Sequence, residues 1–164
     1  METKERQIVP DERFVQRSVD LALENVDAGG KPFACLLVRD GEVVVEATNH
    51  VAQTGDVTAH AEVQALRIAA EQGMTDFSDI DIYITAHPCP MCLGALYYAA
   101  PRAVIFAATR EQEAEHYEDG NRYMNLQTFY AEYPKDFADR NLPMLRGAAK
   151  DPAASFKHYA EKNG

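Results

Sequence analysis

Apolar residues near the start of the chain recur at helical spacing. Val15, Val19, Ala22 and Val26 fall on one face of a helix expected over residues 11–27. Asp11 follows Pro10 as the expected N-cap, and Gly29-Gly30 ends the helix. The period then shortens. Residues 33–38 and 42–47 are apolar runs separated by Asp40-Gly41, a dipeptide suited to a tight hairpin, so two antiparallel strands are expected. Helical spacing returns with Ala59, Val63, Leu66 and Ala70, between Thr58 as the expected N-cap and Gly73 as the stop. Residues 80–85, rich in β-branched side chains, read as a third strand. A short helix over residues 90–99, closed by Pro101, precedes a fourth strand at residues 103–107. Strand, helix and strand in so few residues imply a right-handed parallel crossover. A hairpin joined to such a unit predicts an α/β fold whose mixed central sheet carries helices on both faces. Beyond residue 111 the pattern weakens. Residues 111–118 are expected to be helical, 119–141 show no clean period, 142–146 form a short strand and 152–162 a last helix. No repeat or low-complexity tract interrupts the 164 residues, which are expected to form one domain.

Composition narrows the class. Apolar residues at 46% with 26% charged suit a globular chain. Residues 1–7 mix charges with no apolar run behind them, unlike a signal peptide, and no stretch approaches the ~20 apolar residues that span a bilayer. A soluble, cytoplasmic protein with no membrane partner is expected. Three cysteines cannot all pair, and Cys35, inside an apolar run, reads as a buried core thiol. The net charge of −10, from 16 basic against 26 acidic residues, argues against a nucleic-acid partner, because phosphate binding rests on Lys and Arg. A small free heterocycle is favoured instead.

Two short segments carry the chemistry. His60-Ala61-Glu62 and Pro88-Cys89-Pro90-Met91-Cys92 supply an imidazole, a carboxylate and two thiols. One His and two Cys give zinc three protein ligands and leave one tetrahedral position open for water. Zn²⁺ lowers the pKa of such a water to roughly 7. Glu62, two residues from His60, does not share its helix face, so it can lie beside that water as a proton carrier without being a ligand. Cys89, before Pro90, is the expected N-cap of its helix, and a helix N-terminus favours the thiolate form. Two other readings remain at this point. Cys89 and Cys92 could form a redox dithiol, or His87 could complete a purely structural zinc site as fourth ligand. His50, His116 and His158 read as surface histidines.

The order H-x-E then P-C-x-x-C is the signature of zinc-dependent deaminases. On these residues, together with Pro32-Phe33, Asn49, Thr58-Ala59 and residues 93–98, the chain resembles the cytidine deaminase-like superfamily, and within it the bacterial guanine deaminases and related nucleobase deaminases. The resemblance implies a three-layer α/β/α fold, a homodimer, and zinc held by His60, Cys89 and Cys92, with Glu62 as the catalytic proton shuttle. It further implies that Asn49 hydrogen-bonds the heterocycle, Phe33 stacks on it and the Ala61 N–H faces it. Tyr98 sits where relatives place an aromatic residue that can reach a neighbouring pocket. Asp119, aligned across a one-residue gap, matches an acidic residue that reads ring N–H and amino groups. Two features depart from the pattern: His87 stands where relatives often have Glu, and the chain ends Glu161-Lys162-Asn163-Gly164 rather than in an aromatic residue. The expected reaction is hydrolytic deamination of a purine-like base, guanine to xanthine first, with cytosine, an amino-triazine, a pterin or a nucleoside as alternatives. A tRNA adenosine deaminase shares both motifs but conflicts with the acidic charge.

Overall fold

The computed structural model describes residues 8–123 and 128–164. Asp11 accepts from Arg13 N at 3.0 Å and so caps α1 (Glu12–Asp27), as its sequence position predicts. The inward face of α1 differs from the expected valine stripe. Ser18, Ala22 and Asn25 are buried, whereas Val26 is 45% exposed. Polar residues can hold that face because each finds a partner: Ser18 Oγ donates to Val15 O at 2.7 Å, and Asn25 bonds outside the helix. On the outer side Arg17 grips Glu46 of the next hairpin through two bonds of 3.0 and 2.9 Å. That guanidinium holds the Glu46 carboxyl below its ordinary value.

The strands β1 (Ala34–Arg39) and β2 (Glu42–Thr48) pair antiparallel across Asp40-Gly41, whose φ angles of 50° and 76° suit a tight hairpin turn. A one-turn helix, α2 (Val51–Thr54), follows, and then α3 (Ala61–Glu71). Strand β3 (Ile80–Ala86) lies antiparallel to β1 and parallel to β4 (Ala103–Ala108), with α4 (Pro90–Ala99) as the crossover. The sheet order is β2-β1-β3-β4, the mixed sheet that the sequence predicts.

Alternation along the strands builds two cores. Cys35, Leu37, Ile82 and Ile84 pack with Ala61, Ala65, Ala69 and Leu96 of α3 and α4. Leu36, Val38 and Tyr83 face the other way, against Phe14 and Val15 of α1. Each fully buried Leu or Ile contributes about 1.5–3 kcal/mol relative to exposure. Alanines at every fourth position of α3 let that helix lie close to the sheet, which places its N-terminus beside the carboxyl end of β3. Tyr83 OH accepts from Asp11 N at 3.0 Å and so ties the start of α1 to the sheet.

Two compact units make up the chain, one that ends at Glu118 and holds this sheet, and a second over Asp119–Gly164. At the end of the first unit, α5 (Arg110–Ala114) is shorter than the expected helix and starts with a capping box between Thr109 and Gln112. The second unit contains α6 (Phe129–Glu132), a 3₁₀ turn (Phe137–Asp139) and α7 (Ala154–Asn163). Its buried carboxylate, Glu132, accepts from Lys135 Nζ at 2.5 Å and Asn141 N at 2.8 Å. Residues 142–146 do not form the expected strand; Pro143 lacks the donor a ladder needs, and Leu145 is 88% exposed. Among the described residues, no helix is long and apolar enough to cross a membrane.

Candidate active site

The turn from β3 into α4 is built from His87, Pro88 and Cys89. Cys89 is the N-cap of α4, and its sulfur accepts from Cys92 N at 3.5 Å, with Pro90 at the first helical position. The neighbouring helix starts later than the sequence pattern predicts. His60, not Thr58, is the N-cap of α3. Thr58 is diverted because its N–H and hydroxyl both donate to Asp56 Oδ1, at 2.9 and 2.7 Å. His60 offers no side-chain cap to the first N–H groups of α3.

Two helix N-termini therefore bring one imidazole and two thiols together. His60 Nδ1 lies 3.5 Å from Cys89 Sγ and 3.5 Å from Cys92 Sγ, and the three donor atoms all lie within 4.8 Å of one another. One Nδ1 hydrogen cannot satisfy two sulfurs equally. Zn–N and Zn–S bonds of about 2.0 and 2.3 Å at a tetrahedral angle place N and S roughly 3.5 Å apart, so the cluster fits a zinc ion. His87 is not in this group. Its Nδ1 donates to Pro88 O at 3.1 Å, and its ring meets Phe106 edge to face at 5.2 Å, which occupies the side chain otherwise and removes the reading of a fourth protein ligand. His50 is half-buried rather than a free surface residue, with Nε2 3.1 Å from Thr48 Oγ1, while His116 and His158 are exposed.

The thiols titrate as a pair. The hydrogen bond from Cys92 holds Cys89 below the ordinary thiol value, and the Cys89 sulfur, burial and Glu62 hold Cys92 above it. Glu62 lies in the first turn of α3 and is 8% exposed. Burial pushes its carboxyl above the usual value, against the lowering effect of its own backbone N–H and the Cys92 side chain. Behind it Cys35 is fully buried, and burial with the Glu62 charge pushes that thiol well up, as suits an inert core residue.

Asn49, at the end of β2, is 1% exposed. Its Oδ1 accepts from Val51 N at 3.0 Å, which orients the amide. Phe33 O accepts from Asn49 N at 3.0 Å, so the two segments are joined. The Phe33 ring packs edge to face on Tyr117 at 5.0 Å, a long-range neighbour for which the sequence carries no signal. Ala61, fully buried, is the first residue of α3. Tyr98 is not brought to the cluster: it is 96% exposed and lies about 9 Å along α4 from Cys92. Asp119 is exposed and is the first residue of the second unit.

Residues 9–108 match the family described as the cytidine and deoxycytidylate deaminase zinc-binding region. Guanine deaminase of Bacillus subtilis (strain 168) is 37% identical over 156 residues, 92% of this chain and 96% of that one. The X-ray structure of guanine deaminase from Bacillus subtilis superposes with a TM-score of 0.83 and 36% identity, covering 93% of this chain and 95% of that one. A guanine deaminase from Nitrosomonas europaea gives a TM-score of 0.60 at 26% identity, over 76% of this chain and 74% of that one. The tRNA-specific adenosine deaminase of Agrobacterium fabrum (strain C58) is 32% identical over 115 residues, 67% of this chain and 75% of that one. With the family matched over the whole sheet region and a donor set that fits zinc, the redox-dithiol reading falls away: the chain belongs to the cytidine and deoxycytidylate deaminase family and is a zinc-binding aminohydrolase similar to guanine deaminase.

Proposed function

We propose that this protein hydrolyses guanine to xanthine and ammonia. The observation that carries the reading is the reach of the likeness. The match to guanine deaminase covers 92% of the chain, well past the zinc region at residues 9–108, whereas the match to the tRNA deaminase covers 67%. The net charge of −10 also disfavours a polyanionic substrate.

His60 Nδ1, Cys89 Sγ and Cys92 Sγ hold the zinc. When bound, the metal supplies Lewis acidity that brings a water within reach of ionisation near neutral pH. Glu62 then carries protons. Its carboxylate oxygen takes one from the attacking water, passes it to the ring nitrogen beside the amino-bearing carbon, and a second transfer lets the amino group leave as ammonia. Burial, which raises the carboxyl above its usual value, keeps it able to give the proton back as well as take it. Phe33 stacks on the ring, the Asn49 Nδ2 and Ala61 N–H groups donate to it, and Asp119 accepts from ring N–H and amino groups. Cytosine offers fewer donors to such an acceptor, so it ranks below guanine, and an amino-triazine or pterin ranks below both.

Ammonia release from a panel of guanine, cytosine, amino-triazines, pterins and nucleosides tests this directly. Guanine should be the best substrate, and Asp119→Ala should lower its kcat/KM by the loss of bonds to a charged acceptor, each worth about 1.5–3 kcal/mol. An inert response to guanine would move the assignment to whichever heterocycle reacts, and an unchanged kcat/KM would remove Asp119 from the pocket. The exposure of Tyr97 (78%) and Tyr98 (96%) on α4 supports a homodimer that covers them. Light scattering of the active protein should give at least twice the chain mass, and a fully active monomer would refute it.

A further inference from the structure

Asn25 is a buried amide on α1, 6% exposed, whose side-chain bonds all leave the helix. Its Nδ2 donates to Lys31 O at 2.8 Å and to Asn49 O at 2.9 Å, and its Oδ1 accepts from Gln53 Nε2 at 3.2 Å. Carbonyl oxygens only accept, so the orientation of this amide is fixed by its partners. Lys31 O also accepts from Phe33 N at 2.9 Å, and Phe33 O accepts from Asn49 N at 3.0 Å. The bonds close a circuit: Asn25 to the Lys31 carbonyl, on to Phe33, on to Asn49, and back to Asn25. Two of the side chains proposed to touch the ring, Phe33 and Asn49, hang from that circuit.

Gly30 is the second observation. A Cβ there would sit 2.4 Å from Asn25 Nδ2 and 2.5 Å from Gln53 Nε2, so the amide reaches its partners only because residue 30 has no side chain. The Gly30 N–H in turn donates to Asn25 O at 2.7 Å. A face that merely needed filling would take leucine at position 25. A loop that had to be pinned to a second segment needs two donors on one group, which an amide supplies.

We propose that Asn25 is a positioning residue of the base pocket: through one amide nitrogen it clamps the segment that carries Phe33 to the segment that carries Asn49. This rests on the proposed contacts of Phe33 and Asn49 with the ring. The zinc-holding side chains stand on the N-terminal ends of α3 and α4, outside the circuit, so loss of the clamp should loosen the base more than the metal.

The test is steady-state kinetics of the full-length protein on guanine, with zinc content measured alongside. Asn25→Leu should raise KM about tenfold, as loss of the two clamping bonds and the one from Gln53 permits, with kcat within about threefold and zinc unchanged. Asn25→Ser, which keeps one donor and is easily accommodated, should give a smaller rise and serves if the leucine variant does not fold. Ser18→Ala, a buried polar change on the same helix face, should leave KM alone; a matching rise there would show general loosening of α1 and overturn the proposal. Added to Asn49→Ala, Asn25→Leu should raise KM by less than it does alone, since one of the two side chains it positions is gone. A full multiplicative loss would overturn it too. If Asn49→Ala lowers kcat/KM while Asn25→Leu and Asn25→Ser do not, the clamp alone fails. If Asn49→Ala changes nothing, the pocket reading itself fails and the clamp falls with it.

Discussion

Glu62→Gln should lower turnover by about 10²–10⁴-fold, the range that a positioned proton carrier supplies, while the protein keeps its zinc. The substitution keeps the shape of a side chain that is 8% exposed, so packing against the N-terminus of α3 changes little. What it removes is the oxygen that can hold a proton. Glu62 lies outside the group of donor atoms formed by His60, Cys89 and Cys92, so metal content should match the parent. Its stability should not suffer either. The folded carboxyl sits above its ordinary value because burial penalises the charge. Such a group favours the folded state most fully below the ordinary carboxylate value, and that contribution is lost as pH rises through the raised one. A neutral amide carries none of the penalty that burial places on the charged form. Thermal melting, zinc analysis and ammonia release on one preparation distinguish the outcomes. Activity above about a tenth of the parent would remove Glu62 from the proton path. Loss of zinc would make it a ligand or a support of the ligands.

How much of this was readable from sequence depends on whether a residue's chemistry or its surroundings carried the signal. His60, Cys89 and Cys92 were readable because zinc dictates both residue type and spacing, and Pro90 after Cys89 marks a helix start whatever the rest of the fold does. The hairpin was readable because Asp40-Gly41 must take positive φ. Asn25 was not. A period of apolar residues points to Val26, and only the tertiary partners Lys31 and Asn49 turn the helix so that a polar residue faces inward. Thr58 misled for a related reason. It is a good cap by type, but Asp56 two residues earlier competes for its N–H and hydroxyl, and the cap passes to His60. That shift bears on function, since it puts the first turn of α3, with Glu62 in it, directly after a metal-holding residue. Residues 142–146 failed as a strand because apolar content without alternation or a pairing partner specifies nothing, and Pro143 removes a donor.

Cys89→Ser should lose most of its zinc and, with it, deaminase activity. The sulfur stands 3.5 Å from His60 Nδ1 and accepts from Cys92 N, so it is both a metal donor and the cap of α4. A serine hydroxyl can still cap the helix, which separates the two roles. As a ligand it is a poor replacement, because zinc needs the thiolate and a hydroxyl does not ionise at neutral pH. Changes to groups that only support ligands cost about 10–100-fold in affinity, and loss of a ligand should exceed that. Removing zinc from the parent with a chelator should reproduce the same state. Because metal that binds only the folded form adds about 2.7 kcal/mol when present at a hundred times its Kd, the parent should melt at a lower temperature after chelation. Cys89→Ser should already melt at the lower temperature and should not respond to the chelator. Cys92→Ser should behave alike, with a larger structural penalty, since Cys92 is fully buried and lies against Glu62. Full zinc retention in Cys89→Ser, measured on protein purified without added metal, would contradict the assignment of His60, Cys89 and Cys92 as the metal-holding set.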